Sequence, residues 1–424
     1  MRHLHKRLPE LFIMPDLAQR SDFGCQTDSP CRISRFCTIA GRQYLMREAR
    51  VADATAIKAL FDFVYGGRYP DTDLDHLAED LFDQSHNLCV VTEFDERIVG
   101  CVMIKMAPEH RLGKGGRALV LPEFRKSGLA PTMLKLAIDY LCVETGTLDV
   151  VYGTSRTISA GPAKMSAGAG MVQMGLFPNA VQIDNMEHLN LEVYLSPAAL
   201  NKRRPRPTIL PAFQRIFDLA MSQLGCDESA ALASLNPPPV SHCNIALTMN
   251  NDQHEVARRY HLYLEQDRLS HAFYPFHFPT AILASEDGST EVFIWYEGRG
   301  KRSAIVGYRS DRTEISELLR AVASTLEHHG ASYLELLVPA HNPIAQQSAY
   351  AARFLPCAYF PAMLLGRDGM REDYFVLSRT FRLLDFTEVT ISPQNARFLR
   401  AYMAGYYQLY IEPLLGPLPA EIMQ

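Results

Sequence analysis

This 424-residue chain lacks any excess of basic charge: its formal net charge of −5 leaves no broad electrostatic footprint for nucleic acid or an anionic membrane. No apolar run is long enough to span a bilayer. The basic start at Arg2, Lys6 and Arg7 leads only into Leu11-Phe12-Ile13-Met14 before Pro15 and Asp16, too short for the core of a secretion signal. Close cysteine pairs are missing too. Cys89, Cys101, Cys142, Cys226, Cys243 and Cys357 are scattered singly, a usage that suits a reducing cytoplasm. Cys25, Cys31 and Cys37 lie in one stretch, but without a C-x-x-C pair or a fourth ligand no metal site is expected. Nucleic acid, membrane and metal are therefore left out of the expected partners.

What is present is the composition of a folded enzyme. Hydrophobic residues make up 47% and charged residues 21%, enough to bury a sizeable core. The length favours two domains, with room for a tail. Residues 1–43 have weak periodicity and read as an N-terminal extension without fixed structure, or as translation upstream of a start at Met46.

Order begins near Tyr44. The extended segment from Met46 to Ala54 precedes an amphipathic helix from Ala54 to Tyr65, with Ala56, Ile57, Leu60, Phe61 and Val64 on one face. Leu88 to Glu93 and Ile98 to Met106 read as a hairpin, and Arg117 to Leu121 as a further strand ended by Pro122. A helix from Pro131 to Glu144 and a strand from Leu148 to Tyr152 complete a βαβ unit. Residues 201–240 read as a linker, with the solvated basic run Lys202 to Pro207, a helix from Ala212 to Leu224 and a proline stop at 237–239.

A second set of elements follows, with strands at Asn244 to Met249, Thr280 to Ala284, Glu291 to Glu297 and Ser303 to Tyr308. Then come a helix from Glu314 to His328 and a strand from Tyr333 to Val338. The order repeats the first set and reads as an internal duplication. A final helix from Gln394 to Leu415 carries Phe398, Tyr402, Tyr406 and Tyr410 four apart, a stripe that docks on protein.

The chemistry-bearing motif lies at residues 118–134, where a strand runs through Leu121-Pro122-Glu123-Phe124 into a loop ending in Gly128 and Ala130 and then a helix. Such a geometry aims successive backbone N–H groups and the helix dipole at one anion. Gly128 allows close approach of the backbone, and Ala130 keeps the wall low.

Arg125-Lys126-Ser127-Gly128-Leu129-Ala130 resembles the motif of the GNAT superfamily, Arg or Gln, two residues, Gly, one residue, then Gly or Ala. The resemblance runs from the Arg47 to Asp53 opening, through Ile98-Val99-Gly100, to Gly170-Met171. It implies an α/β (α+β) fold with a mixed, mostly antiparallel sheet flanked by helices. It also implies that residues 125–130, with the backbones of Leu119, Val120 and Leu121, hold acetyl-CoA or another acyl-CoA. The implied reaction is transfer of the acyl group to a primary amine by direct attack, without a covalent enzyme intermediate.

An ammonium acceptor, with a pKa of about 10.4 if it resembles lysine, must lose a proton before attack. Glu109 and His110, on the connection into the central strand, are candidates for that base. The family's general acid is a tyrosine four residues before a Gly-Phe pair. Here Gly170-Met171 stands for the pair and Ser166 for the tyrosine, so protonation of the thiolate falls to Ser166, Tyr152 or water. Thr154 and Arg156, in the hydroxyl-rich stretch 153–161, are candidate acceptor contacts, as are Tyr65, Arg68 and Tyr69 beside the variable loop 66–80.

The second half has no glycine in the matching turn. Arg309 to Ile315 enters its helix with Asp311 and Glu314 as capping residues, so this copy is expected not to bind coenzyme A in the same way. His341 and Asn342 end a strand there as further acceptor contacts. The reading is then of five parts: extension 1–43, acyl-CoA-binding domain 44–200, linker 201–240, degenerate GNAT-like domain 241–385 and docking helix 386–424. The second half packs on the first, shapes its acceptor cleft or mediates a homodimer. The expected protein is a cytoplasmic N-acetyltransferase acting on an amine of a small molecule or protein. The alternatives are an acyl-CoA sensor or scaffold and an aminoacyl-tRNA-dependent transferase.

Overall fold

The computed structural model describes residues 31–66, 76–183, 185–235, 245–311, 314–387 and 389–416. The first half runs β1 (Ser34–Ile39), β2 (Arg42–Glu48), α1 (Ala54–Tyr65), α2 (Leu77–Phe82), β3 (Asn87–Phe94), β4 (Arg97–Ala107), β5 (Leu112–Val120), α3 (Leu129–Ile138), β6 (Val150–Arg156), α4 (Ala160–Gly168), β7 (Val172–Gln182) and β8 (Met186–Leu195). A connection follows with α5 (Pro197–Asn201), β9 (Thr208–Ile209), α6 (Gln214–Leu224) and β10 (Ala231–Leu232). The second half runs β11 (Leu247–Asn250), α7 (Gln253–Glu265), β12 (Ala281–Ser285), β13 (Thr290–Glu297), β14 (Arg302–Ser310), α8 (Ile315–His328), β15 (Tyr333–Pro339), α9 (Pro343–Ala351), β16 (Leu355–Leu365) and β17 (Arg371–Thr380). It closes with α10 (Pro393–Tyr406) and α11 (Glu412–Leu415).

Fifteen of these strands form one sheet, in the order β1-β2-β3-β4-β5-β6-β8-β7-β16-β17-β15-β14-β13-β12-β11. Read inward from its own outer end, the second half follows the same path as the first from β2 onward. Pairing is antiparallel throughout except at β5–β6 and β14–β15, each joined through a crossover helix as parallel strands require. The halves meet where Gly175 of β7 pairs with Ala358 of β16.

Local sequence explains the elements that frame the site. Ile57, Leu60 and Phe61 recur at three- and four-residue spacing, so α1 buries one face, and Gly66 at φ 57° ends it in the left-handed region. Arg47 donates to Asp53 at 2.7 Å and also pairs with Glu93, tying the start of α1 to β2 and β3. Burial works against the Asp53 charge. The hydrogen bonds from Arg47 and from the Arg50 backbone N–H, with the charges of both arginines, together outweigh it and hold the carboxyl below its ordinary range.

Two segments behave differently from their sequence reading. Residues 34–43, placed in the extension, supply β1 and the start of β2. Arg32 ahead of them is pinned by the buried Glu48 carboxylate, which also accepts from the Arg32 backbone N–H at 2.8 Å. The basic run at 202–207 is docked on the second half rather than solvated throughout. Arg203 is buried and donates to Asp373 at 2.6 Å, while Arg204 pairs with Asp368. A buried carboxylate such as Asp373 is costly without a cation, and the connection supplies it.

One apolar core crosses the junction, from Val150 and Leu191 in the first half through Phe213 and Phe217 of the connection to Phe360 and Phe375 in the second. Phe398 and Tyr402 of α10 are buried in it, and each fully buried aromatic contributes about 2 kcal/mol. Arg371, fully buried, donates to the carbonyls of Ala362 and His110 and faces Asp149 at 3.3 Å, so its charge bridges the halves. Among the described residues no helix is long and apolar enough to cross a membrane.

Candidate functional site

The central geometric feature is the point where β5 and β6 part. Their parallel ladder runs Leu112↔Val150, Gly113↔Val151, Lys114↔Tyr152 and Gly115↔Gly153, and then stops. Beyond it β5 stays paired to β4 as far as Val120, and β6 to β8 as far as Arg156. The facing edges of Gly116 to Val120 and Thr154 to Arg156 therefore diverge without a ladder between them. A bulge opposite Cys101 and Met103, with Arg117 at φ 48°, bends β5 at the start of this splay.

The loop read from sequence as an anion cradle lies at the open end of the same strand. Phe124 packs on Phe94 and Tyr44, fixing the turn Pro122–Phe124 against the sheet. The chain then passes through Lys126 at φ 61° and Gly128 at φ 98°, and α3 begins. The Ser127 hydroxyl donates to the Phe124 carbonyl at 2.6 Å, and Arg125 Nε donates to the Val120 carbonyl at 3.2 Å, holding the loop in shape. A Cβ built at Gly128 would meet only Ile39 Cγ2, at 3.9 Å, so space is open there and backbone conformation alone demands glycine. The first N–H groups of α3 have no intrahelical acceptor, and the helix dipole adds to their pull on an anion.

The predicted residues fall into three groups. Leu119, Val120 and Leu121, with Arg125, Lys126, Ser127, Gly128, Leu129 and Ala130, come together along the outer end of β5 and the start of α3. Thr154 is exposed on the diverging part of β6, and Arg156 beside it is held by Glu187 of β8 through two bonds of 2.6 and 2.5 Å. Tyr65, at the end of α1, is within electrostatic reach of both Arg156 and Arg125, although burial leads in raising its pKa. Arg68 and Tyr69 lie outside the described residues.

The acid–base candidates do not converge on the splay. Glu109 and His110 form the turn between β4 and β5, at the opposite end of β5 from the cradle. Eight strand steps separate Leu112 from Val120, about 26 Å. His110 packs edge-on against Phe273, and burial lowers its pKa, the character of an interface residue. Tyr152 is buried against Phe360 and Phe276, with ring centroids at 5.1 and 6.1 Å, and burial raises its pKa, so its proton is held tightly. Ser166 is buried on α4.

A feature without sequence signal lies on the other face of β6. The Ser155 hydroxyl donates to Glu192 Oε1 at 2.5 Å and accepts from Asn190 Nδ2 at 3.1 Å, and Asn190 in turn accepts from Asn395 of α10. Burial pushes the Glu192 carboxyl up to about 8.

The second half has its own splay, since the β14–β15 ladder stops after Ala304↔Glu335. This one is filled by the chain itself. His271 bridges Tyr308 antiparallel, with the Tyr308 N–H donating to the His271 carbonyl at 3.1 Å and the Ser270 N–H to the Tyr308 carbonyl at 2.8 Å. Tyr274 of the same segment is hydrogen-bonded to Glu335 on β15. At α8, Glu314 is the N-cap, accepting from the Ser316 N–H at 3.0 Å, whereas Asp311 pairs with Arg309 instead. Asn342 caps α9, and the His341 ring faces the Arg204 carbonyl at 3.4 Å.

Splayed parallel strands beside a glycine-started helix place the motif in a strand–loop–helix setting. Residues 54–149 match the model of the acetyltransferase (GNAT) family, and the chain carries a domain of the GNAT superfamily. The match supports acetyl transfer as the class of activity. Similar solved structures include a GNAT-family acetyltransferase from Streptococcus pneumoniae, 18% identical, covering 36% of this chain and 99% of its own, with a TM-score of 0.32. Another is Mycobacterium smegmatis RimJ in complex with CoA-disulfide, 16% identical, covering 38% and 86%, with a TM-score of 0.33. A third is a spermidine N-acetyltransferase SpeG chimera from Vibrio cholerae and hSSAT, 19% identical, covering 36% and 95%, with a TM-score of 0.32. No curated protein matches the chain.

Proposed function

We propose that the chain transfers an acetyl group from acetyl-CoA to a primary amine by direct attack, using the first half alone for the coenzyme. The observation that carries this reading is the end of the β5–β6 ladder at Gly115 and Gly153, on the strand that leads into the Gly128 helix start. Arg125 to Ala130 would hold the pyrophosphate, and the backbones of Leu119 and Val120 the pantetheine amides. Thr154, Arg156 and Tyr65 would border the acceptor. The thioester supplies the acyl group; the chain orients it, excludes water and presents the amine.

In this reading the second half is a degenerate copy whose splay is occupied by residues 270–274. It packs on the first half and shapes the acceptor side. The described cysteines are all free thiols, which suits the cytoplasm as its compartment.

Acyl-CoA sensing is the second reading, favoured by Glu109 and His110 lying at the far end of β5 and by the burial that holds the Tyr152 proton tightly. Calorimetry with acetyl-CoA and thiol release across an amine panel separate the two. Binding with thiol release is the expected result. Binding without release from any amine supports the sensor, and no binding defeats both.

A further inference from the structure

The β1–β2 hairpin precedes the residues that match the family model, which begin at 54, yet it reaches the loop at 125–130. Ile39 and Arg42 close its ladder as directly opposed residues, with Ala40 at φ 50° and Gly41 at φ 77° as a two-residue turn between them. Opposed residues share one face of the sheet. That face meets the loop: a Cβ at Gly128 would lie 3.9 Å from Ile39 Cγ2. Arg35, earlier on β1, faces Glu144 just past α3 at 3.6 Å, and the pair of Arg32 with buried Glu48 anchors the start of the strand. The hairpin therefore lies beside α3, with Arg35 near its end and Arg42 near its start.

Arg42 is held in place without losing its charge. Its guanidinium lies 5.8 Å from the centre of the Phe94 ring, Phe94 packs edge-on to Phe124 at 5.5 Å, and Phe124 leads directly into Arg125. Arg125 is fixed beside the loop by its Nε bond to the Val120 carbonyl, and Lys126 follows at φ 61°. All three cations are exposed and border one loop. The carboxylates at this end are Glu123, which faces Arg97 at 3.8 Å, and Asp95 and Glu96 in the β3–β4 turn. Among the described residues none of them forms an ion pair with Arg42, Arg125 or Lys126.

Coenzyme A offers such a rim a second phosphate. Its diphosphate and its 3′-phosphate hang from one ribose, so with the diphosphate at residues 125–130 the monoester lies one sugar away from the loop. The monoester carries about −1.5 to −2 charges at neutral pH. A guanidinium already stacked on a ring meets it with little further loss of freedom.

Resting on the acetyltransferase reading, we propose that Arg42, with Arg125 and Lys126, binds the 3′-phosphate of the coenzyme, which makes the β1–β2 hairpin part of the donor site. Calorimetry of the full chain at low salt, with CoA and with 3′-dephospho-CoA, tests this. CoA is expected to bind about tenfold more tightly. Arg42→Ala, at an exposed position, should weaken CoA about threefold or more and leave dephospho-CoA unchanged, so the second ligand also reports that the variant is folded. Arg42→Lys should recover part of the loss. Lys164→Ala should alter neither affinity, since Lys164 is on α4, which packs on α3 from the β6 side. Equal affinity of the unsubstituted chain for the two ligands, equal weakening of both by Arg42→Ala, or a preference lost in Lys164→Ala but kept in Arg42→Ala overturns the proposal. Failure of the unsubstituted chain to bind either ligand removes the acetyltransferase reading and this proposal with it, whereas binding without preference removes this proposal alone.

Discussion

Gly175 and Ala358 face one another where the sheets of the two halves join, so closely that a Cβ at 175 would lie 2.1 Å from the Ala358 Cβ and 2.7 Å from the Cys357 carbonyl oxygen. Backbone lies on both sides of that contact, and no side-chain rotation relieves it. Gly175→Ala is expected to cost about 3 kcal/mol by overpacking the junction. Urea unfolding followed by Trp295 emission, which reports the second half, checks it; an unchanged midpoint would mean the halves do not close as tightly as this pairing requires.

At the cradle, Gly128→Glu places a negative charge and a strained left-handed residue where the diphosphate would lie. Because Gly128 is exposed and its Cβ direction is open, the chain should stay folded. Acetyl-CoA affinity should fall roughly tenfold or more, the equivalent of about 1.4 kcal/mol. Calorimetry gives the affinity and a thermal melt the folding. Unaltered affinity would move the coenzyme away from residues 125–130.

Stoichiometry tests the filled second splay. With the Tyr308 backbone N–H and C=O already bonded to residues 270 and 271, a second coenzyme has no free strand edge there. Titration should saturate at about one acetyl-CoA per chain. Saturation at two would show that this segment yields.

Glu192 should make stability depend on pH. Its ordinary value is 4.5, and burial pushes it up to about 8. Below about 4.5 both folded and unfolded chains hold the proton. Between the two values only the folded chain does, so stability falls as pH rises, by about 1.4 kcal/mol per unit, and levels off above 8. Glu192→Gln keeps an acceptor for the Ser155 hydroxyl and removes the titration. Its melting temperature should match the unsubstituted chain near pH 4 and exceed it most near pH 9. A difference that stays flat across that range would mean Glu192 does not carry the effect.

How much of this could be read from sequence depends on how far apart the cooperating residues lie. The turn into α3 was legible because Leu121 to Ala130 contains a strand end, a turn and a helix start, and the left-handed conformation at Gly128 is a local demand. The Arg47 to Asp53 opening was legible in the same way, since its ion pair closes within seven residues. Glu109 and His110 show the limit. They adjoin the central strand in sequence, but only the β4–β5 hairpin reveals that they occupy its far end. The basic run at 202–207 read as solvated because Asp373, which buries Arg203, lies 170 residues away.

The sequence by itself determined the strand, turn and helix start at Leu121 to Ala130 and several of the other strands and helices, since hydrophobic periodicity, turn residues and a helix-start motif act over a few residues. The tertiary structure decided the rest. It joined two sheets at Gly175 and Ala358, closed the second splay with residues 270–274, and carried Phe276 onto Tyr152. Those contacts depend on which distant surfaces meet, and packing free energy is set by that meeting rather than by any single segment.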